Sequence, residues 1–459
     1  MASLEELRKV RLEKLEELRK RGLDPYPAEV NRTHTAYELF SSFDSLIKKA
    51  EPIFIAGRVR GIRRHGGAAF FDVEDESGQF QVFAEEKKLN TELVDIGDFV
   101  EVSGTLFKTQ KDEKTLRAES FKVIVKALRP VPEEWFGLKD VEERLRKRYL
   151  DLLVNKGVKE TLKNRSRIVK AVRAYCDAAG FTEVETPMLQ PIPSGAAARP
   201  FKTYFNAYNT NVFLRIAPEL YLKRLLVGGF EKVYEIGRIF RNEGVSPQHN
   251  PEFTMLELYA AYRDYEWMMG FMEELVRQAA KELYGRLQFE YEGNNINTEP
   301  TFKRVTFNEV LKEYAGVDWE DGKGKQVDEI YKKTCRPKII QPTFVTLLPL
   351  ELSPLAKQGN APAGYTERFN LIIGGMEIMN GFSELNDSID QRSRFEAQEK
   401  LRRAGDEEIV RQDEDFLEAL EYGMPPAAGV GVGIDRLVAI LTNNHSIRDV
   451  IVFPFTKPR

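Results

Sequence analysis

A chain of 459 residues with 42% hydrophobic side chains is long enough for two or three domains with large buried cores. Its 68 lysines and arginines nearly balance 72 acidic residues, so contact with a nucleic acid would depend on local basic patches. Two cysteines, Cys176 and Cys335, give neither metal-ligand spacing nor a disulfide framework. There is also no apolar run of about 18 residues and no secretory leader, so we predict a cytoplasmic protein without membrane contact.

The chain begins with a charged segment that we predict to be helical over residues 3–21. Ser3 and Glu6 match a capping box, and Gly22 followed by two prolines would end the helix. Residues 1–51 are therefore predicted to form a helical extension. Packing against the next domain is its simplest role, and contact with a nucleic acid is the alternative.

Residues 52–128 contain five runs in which apolar and polar side chains alternate, separated by glycine-containing turns. Alternation with a period of two is typical of strands with one buried face, and five such strands suit an OB-fold barrel. Phe70 and Gln81 could share one face, where the ring would stack a base and the amide would read a base edge. Arg63 is a third member of this group. A core position for Phe70 is the equally weighted alternative.

The segment RPVPEEWFG marks a proline-broken linker, which we place at residues 129–150. It runs into ERLRKRYLDL, whose basic residues fit either a nucleic-acid-binding patch or a solvated helix face. A larger domain is predicted over residues 151–459, and its first long helix over 158–179. Residues about 283–338 interrupt its polar and glycine-rich motifs and are predicted to be a small insertion.

The stretch FRNEGVSPQHNPEFTMLELYAAYRDY, residues 240–265, mixes arginine, acids, amides and aromatics in a way that surface loops do not require. Arg241 and Glu243 are two residues apart, so on an extended strand they would project from one face. Phe253 and Glu257 likewise share a face. Arginine can grip a phosphate or carboxylate, a phenyl ring can stack a base, and a carboxylate can accept from an amine. A lone R-x-E would more simply form a surface salt bridge.

Near the C-terminus, GVGVGIDR places glycines at 429, 431 and 433 on one strand face, so that a backbone or a flat ligand can lie against it. Arg436 follows and is predicted to start a helix. The spacing differs from a dinucleotide-binding fingerprint, and no strand–helix–strand unit follows it.

Together these motifs resemble those of class II aminoacyl-tRNA synthetases. VETPML, which contains Pro187, is similar to motif 1, FRNEG…HNPEF to motif 2, and GVGVGIDR to motif 3. Further stretches, among them APELYLKRLLVGGFE, QPTFVT, LSPLAK, TERF and GFSELND, are similar to the lysyl-tRNA synthetase family from about residue 52 to the end. The resemblance implies an α+β multidomain fold: an N-terminal OB-fold β-barrel that binds an anticodon, and a class II catalytic domain with a mainly antiparallel sheet flanked by helices.

The resemblance also implies a reaction, the ATP-dependent attachment of L-lysine to the 3′ end of tRNA(Lys) through a lysyl-adenylate, with release of AMP and diphosphate. Mg²⁺ would be the cofactor. The implied catalytic residues are Arg241, Arg436 and Glu377. The implied ATP-binding residues are Arg241, Glu243, His249, Asn250, Phe253, Glu377 and Arg436, and the metal would lie at Glu377 and Asn370.

The implied lysine-binding residues are Gly195, Glu219, Arg241, Glu257, Tyr259, Asn380, Phe382 and Glu384. Because a buried ammonium needs acceptors, Glu219 and the Gly195 carbonyl would hold the α-ammonium, and Glu384 with Tyr259 the ε-ammonium. In the barrel, Arg63, Phe70 and Gln81 would read the anticodon. A further base-reading residue would fall at Glu119 or Ser120, with the register left open.

Asn370 follows TERF at a position where relatives usually carry a metal-binding glutamate, which leaves the number of Mg²⁺ ions open. Motif 1 implies a homodimer that pairs through helix 158–179 and the strand near Pro187. Three alternatives remain. An aspartyl or asparaginyl enzyme would need a cation in place of Glu384, a protein-lysylating paralogue would be expected to lack the barrel, and a non-catalytic homologue would have lost Arg241 or Arg436.

Overall fold

The computed structural model of the chain describes residues 3–49, 51–131, 140–319, 324–359, 363–403 and 412–458. The chain divides into two compact units, Met1–Gly137 and Leu138–Arg459. Part of the predicted linker, residues 132–139, lies outside the described residues. The linker prediction was wrong at its C-terminal end, because the chain is already helical from Val141 and this helix belongs to the second unit.

The first unit combines short helices with five strands. Its elements are α1 (Leu4–Lys20), α2 (Ala36–Ser41), α3 (Phe43–Lys49), β1 (Ile53–His65), β2 (Ala68–Glu74), β3 (Gln79–Glu85), α4 (Glu86–Leu89), β4 (Phe99–Lys108) and β5 (Lys114–Val125). The predicted helix at 3–21 is confirmed within one residue. Its capping box is formed, because Ser3 Oγ accepts from the Glu6 amide at 3.2 Å and Glu6 Oε2 accepts from the Ser3 amide at 2.6 Å.

The five strands close into a barrel in the order β1-β2-β3-β5-β4. The β3–β5 pair is parallel and the other pairs are antiparallel. Alternate side chains point inward, so Phe71 and Val82 are fully buried while Phe70 and Gln81 are only partly covered. The predicted OB-fold barrel is therefore confirmed, and Phe70 does not belong to its core.

The second unit is larger and mixes helices with strands throughout. Its first elements are α5 (Val141–Arg146), α6 (Arg148–Val154), α7 (Lys156–Ala178), β6 (Thr182–Glu183), β7 (Leu189–Gln190), β8 (Lys202–Phe205), β9 (Thr210–Leu214), α8 (Glu219–Val227), β10 (Lys232–Phe240), β11 (Glu252–Ala261) and α9 (Tyr265–Tyr284). The next are β12 (Gln288–Tyr291), β13 (Asn294–Asn297), β14 (Lys303–Thr306), α10 (Phe307–Ala315), α11 (Gly324–Ile330), β15 (Thr343–Thr346), β16 (Arg368–Ile373) and β17 (Met376–Ser383). The last are α12 (Ser388–Arg403), α13 (Glu414–Glu421), β18 (Ala427–Gly433), α14 (Ile434–Leu441) and α15 (Ile447–Val450).

An eight-stranded sheet organises this unit, in the order β14-β15-β16-β17-β18-β11-β10-β6. Its two outermost pairs, β14–β15 and β10–β6, are parallel, and the pairs between them are antiparallel. Apolar side chains of α7, α9 and α14 pack with one face of the sheet, which provides the main core. The predicted α+β fold with a mainly antiparallel, helix-flanked sheet is confirmed.

One local prediction was wrong. The strand before the motif-2 loop ends at Phe240, so Arg241 and Glu243 lie in the following loop and do not share a strand face. The small insertion at about residues 283–338 stays a prediction, and β14 within that segment pairs with β15 of the sheet. A strand of four residues carries too little alternation to be assigned to a distant sheet from sequence.

Candidate active site

A cavity of about 300 Å³ lies beside the central strands of the large sheet. The sequence-predicted residues that line it are Gly195, Glu219, Arg241, Glu257, Tyr259, Asn380 and Phe382. They come from β11, β17, α8 and the loops around them, so the fold collects positions that are far apart in the chain. The prediction that these residues converge on one site is supported by this common lining.

Glycines of β18 make room for the cavity walls. A Cβ atom at Gly429 would come within 2.2 Å of Glu384 Oε1 and 2.4 Å of Tyr259 Cε1, and one at Gly431 within 2.5 Å of Met255 Cε. Any larger residue would therefore displace side chains of the adjoining strands. Gly195 has a positive φ of +87°, which an L side chain rarely adopts, and it lines the cavity next to Glu219.

The two carboxylates predicted to hold the substrate ammonium groups both contact one lysine of the chain. Lys223 Nζ lies 2.6 Å from Glu219 Oε1 and 2.5 Å from Glu384 Oε2, and the three side chains are almost completely buried. Sequence reasoning missed Lys223, although its position four residues after Glu219 on a helix predicts that pair. Glu384 lies one residue beyond the end of β17, the strand that carries Asn380 and Phe382.

Tyr259 and Glu257 form a second buried pair on β11. The Tyr259 hydroxyl donates to Glu257 Oε2 at 3.0 Å, so its described partner is Glu257, and the predicted pairing of Tyr259 with Glu384 on one ammonium stays a prediction. Burial, reinforced by the charge of Glu219, raises the pKa of Glu257 to about 8. At neutral pH this carboxyl is therefore mostly protonated, and a cation bound beside it would favour loss of the proton.

Asn380 is held by an arginine that the prediction did not include. Arg368 Nε donates to Asn380 Oδ1 at 2.8 Å, and both residues line the cavity. Arg368 belongs to the TERF motif, which the sequence comparison singled out without giving this residue a role. The pair places a guanidinium and an amide beside Phe382, which also lines the cavity.

Three arginines lie around Phe253 and Glu377, next to the cavity. Arg241 Nε donates to the Ile216 carbonyl at 3.3 Å, and its guanidinium carbon lies 5.3 Å from the ring centre of Phe253. Arg436, the third residue of α14, donates to the Glu377 carbonyl at 2.8 Å. Arg336 Nη1 lies 3.7 Å from Glu377 Oε2. Such a concentration of positive charge suits a polyanionic ligand.

The loop between β10 and β11 carries the remaining predicted ATP-binding residues. Asn250 is buried and donates to the Glu252 carbonyl at 2.6 Å, whereas Glu243 is exposed. His249 lies between Ser246 Oγ, 2.8 Å from its Nδ1, and Arg436 Nη2, 3.4 Å from its Nε2. Burial together with the nearby guanidiniums lowers the pKa of His249, so its ring is neutral at pH 7.

The predicted metal position has a sparse set of donors. Asn370 Nδ2 donates to Glu377 Oε2 at 3.0 Å, so the amide nitrogen positions this carboxylate. Only the amide oxygen, Oδ1, is left as a candidate metal ligand. Asn370 Oδ1 is buried and has no hydrogen-bond partner among the residues that the structure describes. One carboxylate and one amide oxygen fit a Mg²⁺ ion whose other ligands are phosphates and waters. Within the described ranges, no three His, Cys, Asp or Glu side chains cluster as a metal site.

The barrel presents its own group of predicted residues on one outer face. Phe70 pairs with Arg63 on β1 and with Phe83 on β3, whose ring centre is 5.2 Å away. Gln81 pairs with Asp72, one step along the same face, and Arg63 donates to Asp72 at 3.0 Å. The register therefore brings the three predicted base-reading residues to one surface. Glu119 and Ser120 fall on β5, where Ser120 pairs with Ser103.

No helix in the described parts of the chain combines the length and apolarity that crossing a membrane requires. Both cysteines are free and buried. Burial raises the pKa of Cys176 to about 12, which keeps this thiol protonated and unreactive at neutral pH.

Comparison with known families agrees with this geometry. The model for class II tRNA synthetases (D, K and N) matches residues 140–457, and the model for an OB-fold nucleic acid binding domain matches residues 53–124. The chain belongs to the class II tRNA synthetases of the D, K and N group.

Similar proteins place the chain more narrowly. A lysine–tRNA ligase of Pelotomaculum thermopropionicum is 50% identical over 99% of this chain and 96% of its own length. The lysine–tRNA ligases of Carboxydothermus hydrogenoformans and Bacillus subtilis are 50% and 46% identical, over 99% and 98% of this chain and 99% and 97% of their own lengths. Within its class, the chain is thus a member of the lysine–tRNA ligase family.

Proposed function

We propose that this chain activates L-lysine with ATP and transfers it to the 3′ end of tRNA(Lys). The observation that carries the proposal is a cavity lined by the buried carboxyl groups of Glu219 and Glu257 and by Arg241, with buried Glu384 close to Gly429 of its wall. Buried acids that outnumber their paired cation favour a substrate with an ammonium group. The family membership and the OB-fold barrel support the tRNA part of the reaction.

In the first step, a lysine carboxylate oxygen attacks the α-phosphorus of ATP, and the bond to the departing diphosphate breaks. This step needs no side-chain nucleophile or general base, so the chain contributes position and charge. Arg241 would bridge the attacking carboxylate and the α-phosphate, Phe253 would stack on adenine, and Arg436 would neutralise the outer phosphates. A ribose hydroxyl at the tRNA terminus then attacks the lysyl carbonyl, and AMP departs.

The remaining residue roles follow the same proposal. Glu219 and the Gly195 carbonyl would hold the α-ammonium, and Asn380 the substrate carboxylate. Glu243 would accept from the adenine amino group, while His249 and Asn250 order the loop above the phosphates. Asn250 donates to the Glu252 carbonyl at the end of its own loop, which supports its role in ordering that loop.

Mg²⁺ would be held at Glu377, with Asn370 beside it, and when bound it would offset the charge of the phosphates. The protein's own guanidiniums, Arg436 and Arg336, lie next to Glu377 and would share that work. This arrangement supports a Mg²⁺ ion whose ligands come mainly from the ATP phosphates and only in small part from the protein.

We further propose a cytoplasmic homodimer. Met188 and Leu189 in the motif-1 region are 47% and 53% exposed, and Tyr208 on the adjoining loop is 79% exposed, which supports a contact surface there. Buried free thiols support a reducing compartment. Residues 1–51, 52–128 and 151–459 would serve as extension, anticodon-binding domain and catalytic domain.

Diphosphate–ATP exchange, measured with each of the twenty amino acids in turn, tests the proposed function. We expect exchange with lysine to exceed exchange with every other amino acid, followed by lysylation of tRNA(Lys). Exchange that depends on aspartate or asparagine, or none at all, would contradict the proposal.

For the barrel, we expect Phe70→Ala to weaken tRNA charging by about 1–3 kcal/mol, the value of one stacked base. Diphosphate exchange should stay unchanged, because it does not require tRNA. Charging and exchange are measured on the same preparation. Phe40→Ala, at an exposed aromatic of α2, is the matched control. A parallel loss of both activities would show that Phe70 serves barrel stability instead.

At the metal position, we expect Asn370→Glu to lower the Mg²⁺ concentration that gives half-maximal exchange, because a carboxylate adds a charged ligand where the amide adds none. Mg²⁺ is titrated at fixed ATP for both proteins. Asn370→Gln, which keeps the amide, is the control. Superimposable curves for wild type and Asn370→Glu would eliminate a metal role for this position.

A further inference from the structure

Lys223 occupies an unusual place for a lysine. Its side chain on α8 is fully buried, and its ammonium lies between Glu219 of the same helix and Glu384 at the end of β17. It also lies 5.4 Å from the ring centre of Phe382, which lines the cavity. Burying a charge without partners is costly, so the two carboxylates and the ammonium must be considered as one unit.

The unit carries one net negative charge when all three groups are ionised. Burial alone would lower the pKa of Lys223, but the two carboxylates raise it, so the ammonium keeps its proton. Burial raises the pKa of Glu384 to about 8, and Lys223 opposes that rise. Among the described residues, the other ionisable groups close to this unit are Glu257 and Tyr259 on β11 and Arg368 on β16, and Arg241 in the loop after β10 lies next to Glu257.

The two carboxylate oxygens of Glu384 have different neighbours. Both oxygens are buried and have no hydrogen-bond partner in the described part of the chain, but Oε2 forms the ion pair with Lys223 Nζ at 2.5 Å, whereas Oε1 lies near Gly429. Gly429 itself lines the cavity. Buried polar atoms are nearly always paired in folded proteins, so an unpaired oxygen at the cavity wall is a place for a ligand donor.

We infer that Lys223 is a specificity-determining residue of the proposed lysine pocket: it holds one oxygen of Glu384 and leaves the other, charged, for the ammonium at the end of the substrate side chain. The inference rests on the proposed function. It also explains how a pocket that contains a cation selects a cationic substrate, since Lys223 is paired with two carboxylates and the unit carries one net negative charge when Glu384 is ionised.

The test is the pH dependence of the lysine KM in diphosphate exchange between pH 6 and 9. The carboxylate of Glu384 is the acceptor, so in the wild type the KM should fall as pH rises through about 8. Lys223→Met and Lys223→Gln remove the charge that favours this carboxylate, so the fall should move to higher pH. At pH 7 the KM should then rise about tenfold for each unit of that movement.

Selectivity gives a second readout. Norleucine has the length of lysine without its terminal amine, and a protonated Glu384 would no longer favour the charged side chain. The preference for lysine over norleucine should therefore drop in Lys223→Met and Lys223→Gln, while the KM for ATP stays unchanged. Lys223→Arg keeps the charge and should retain the wild-type pH dependence.

Lys126 provides a matched control, because this barrel lysine is also fully buried between two carboxylates, Asp95 at 2.6 Å and Asp98 at 2.7 Å. Lys126→Gln should leave the pH dependence of the lysine KM as in the wild type. If Lys223→Met does not fold, Lys223→Gln, which keeps a hydrogen-bond donor, carries the test.

A KM that changes by the same factor at all pH values, or not at all, in the charge-removing variants would overturn the inference and leave Lys223 a packing residue. Failure of the proposed function is distinct, because the wild type would then show no lysine-dependent exchange.

Discussion

Glu384→Gln is expected to abolish lysine-dependent diphosphate exchange. The substitution removes a buried carboxylate that contacts Lys223 and leaves that ammonium with only Glu219. It also removes the unpaired oxygen that we assign to the substrate. Breaking a buried ion pair costs about 3–5 kcal/mol, which corresponds to a loss in kcat/KM for lysine of roughly two to four orders of magnitude.

The measurement is exchange as a function of lysine concentration, with thermal unfolding recorded on the same sample. Asp98→Asn is the matched control, since Asp98 is equally buried and pairs with the barrel lysine Lys126. That control should lower stability and leave the kcat/KM of the folded enzyme for lysine unchanged. Equal use of lysine by the wild type and Glu384→Gln would disprove the pocket assignment.

Arg241→Gln should have an effect of similar size on the chemical step. Arg241 lines the cavity, stands over the ring of Phe253 and would contact both the attacking carboxylate and the α-phosphate. Burial lowers the pKa of Arg241, yet an arginine remains charged at neutral pH. Losing a cation that stabilises the charge of a transition state costs about 2.7–4 kcal/mol, so kcat for exchange should fall roughly 100- to 1000-fold.

Single-turnover formation of the adenylate is the direct measurement for Arg241→Gln. Arg238→Gln is the control in the same hairpin, because Arg238 makes only a half-exposed pair with Glu252 at 3.5 Å. Such surface pairs contribute about 0–1 kcal/mol, and the control should keep its kcat. A kcat near the wild-type value in Arg241→Gln would show that the phosphate is held by other groups.

The sequence alone determined the features that depend on neighbours in the chain. The capping box of Ser3 and Glu6 formed as predicted, since both partners lie within one helical turn. The alternation that sends Phe70 and Phe71 to opposite faces of β2 is equally local, but the sequence left open which of the two faces the core, and the closed barrel decided that it is Phe71. The glycine run of β18 also indicated its structural role, because only an absent side chain leaves room for Tyr259 and Glu384.

Tertiary structure alone decided which side chains share a site. Lys223 meets Glu384 because α8 packs on β10 and β11 of the sheet that also contains β17, and Arg336 reaches Glu377 from a segment that carried no recognisable motif. Local sequence patterns indicate helical and strand spacing. The charge state of a buried group depends instead on the charged groups that the fold places within a few ångströms of it. The sequence therefore indicated which acids are candidates for this pocket, and the packing of distant elements decided where they lie and which cation they share.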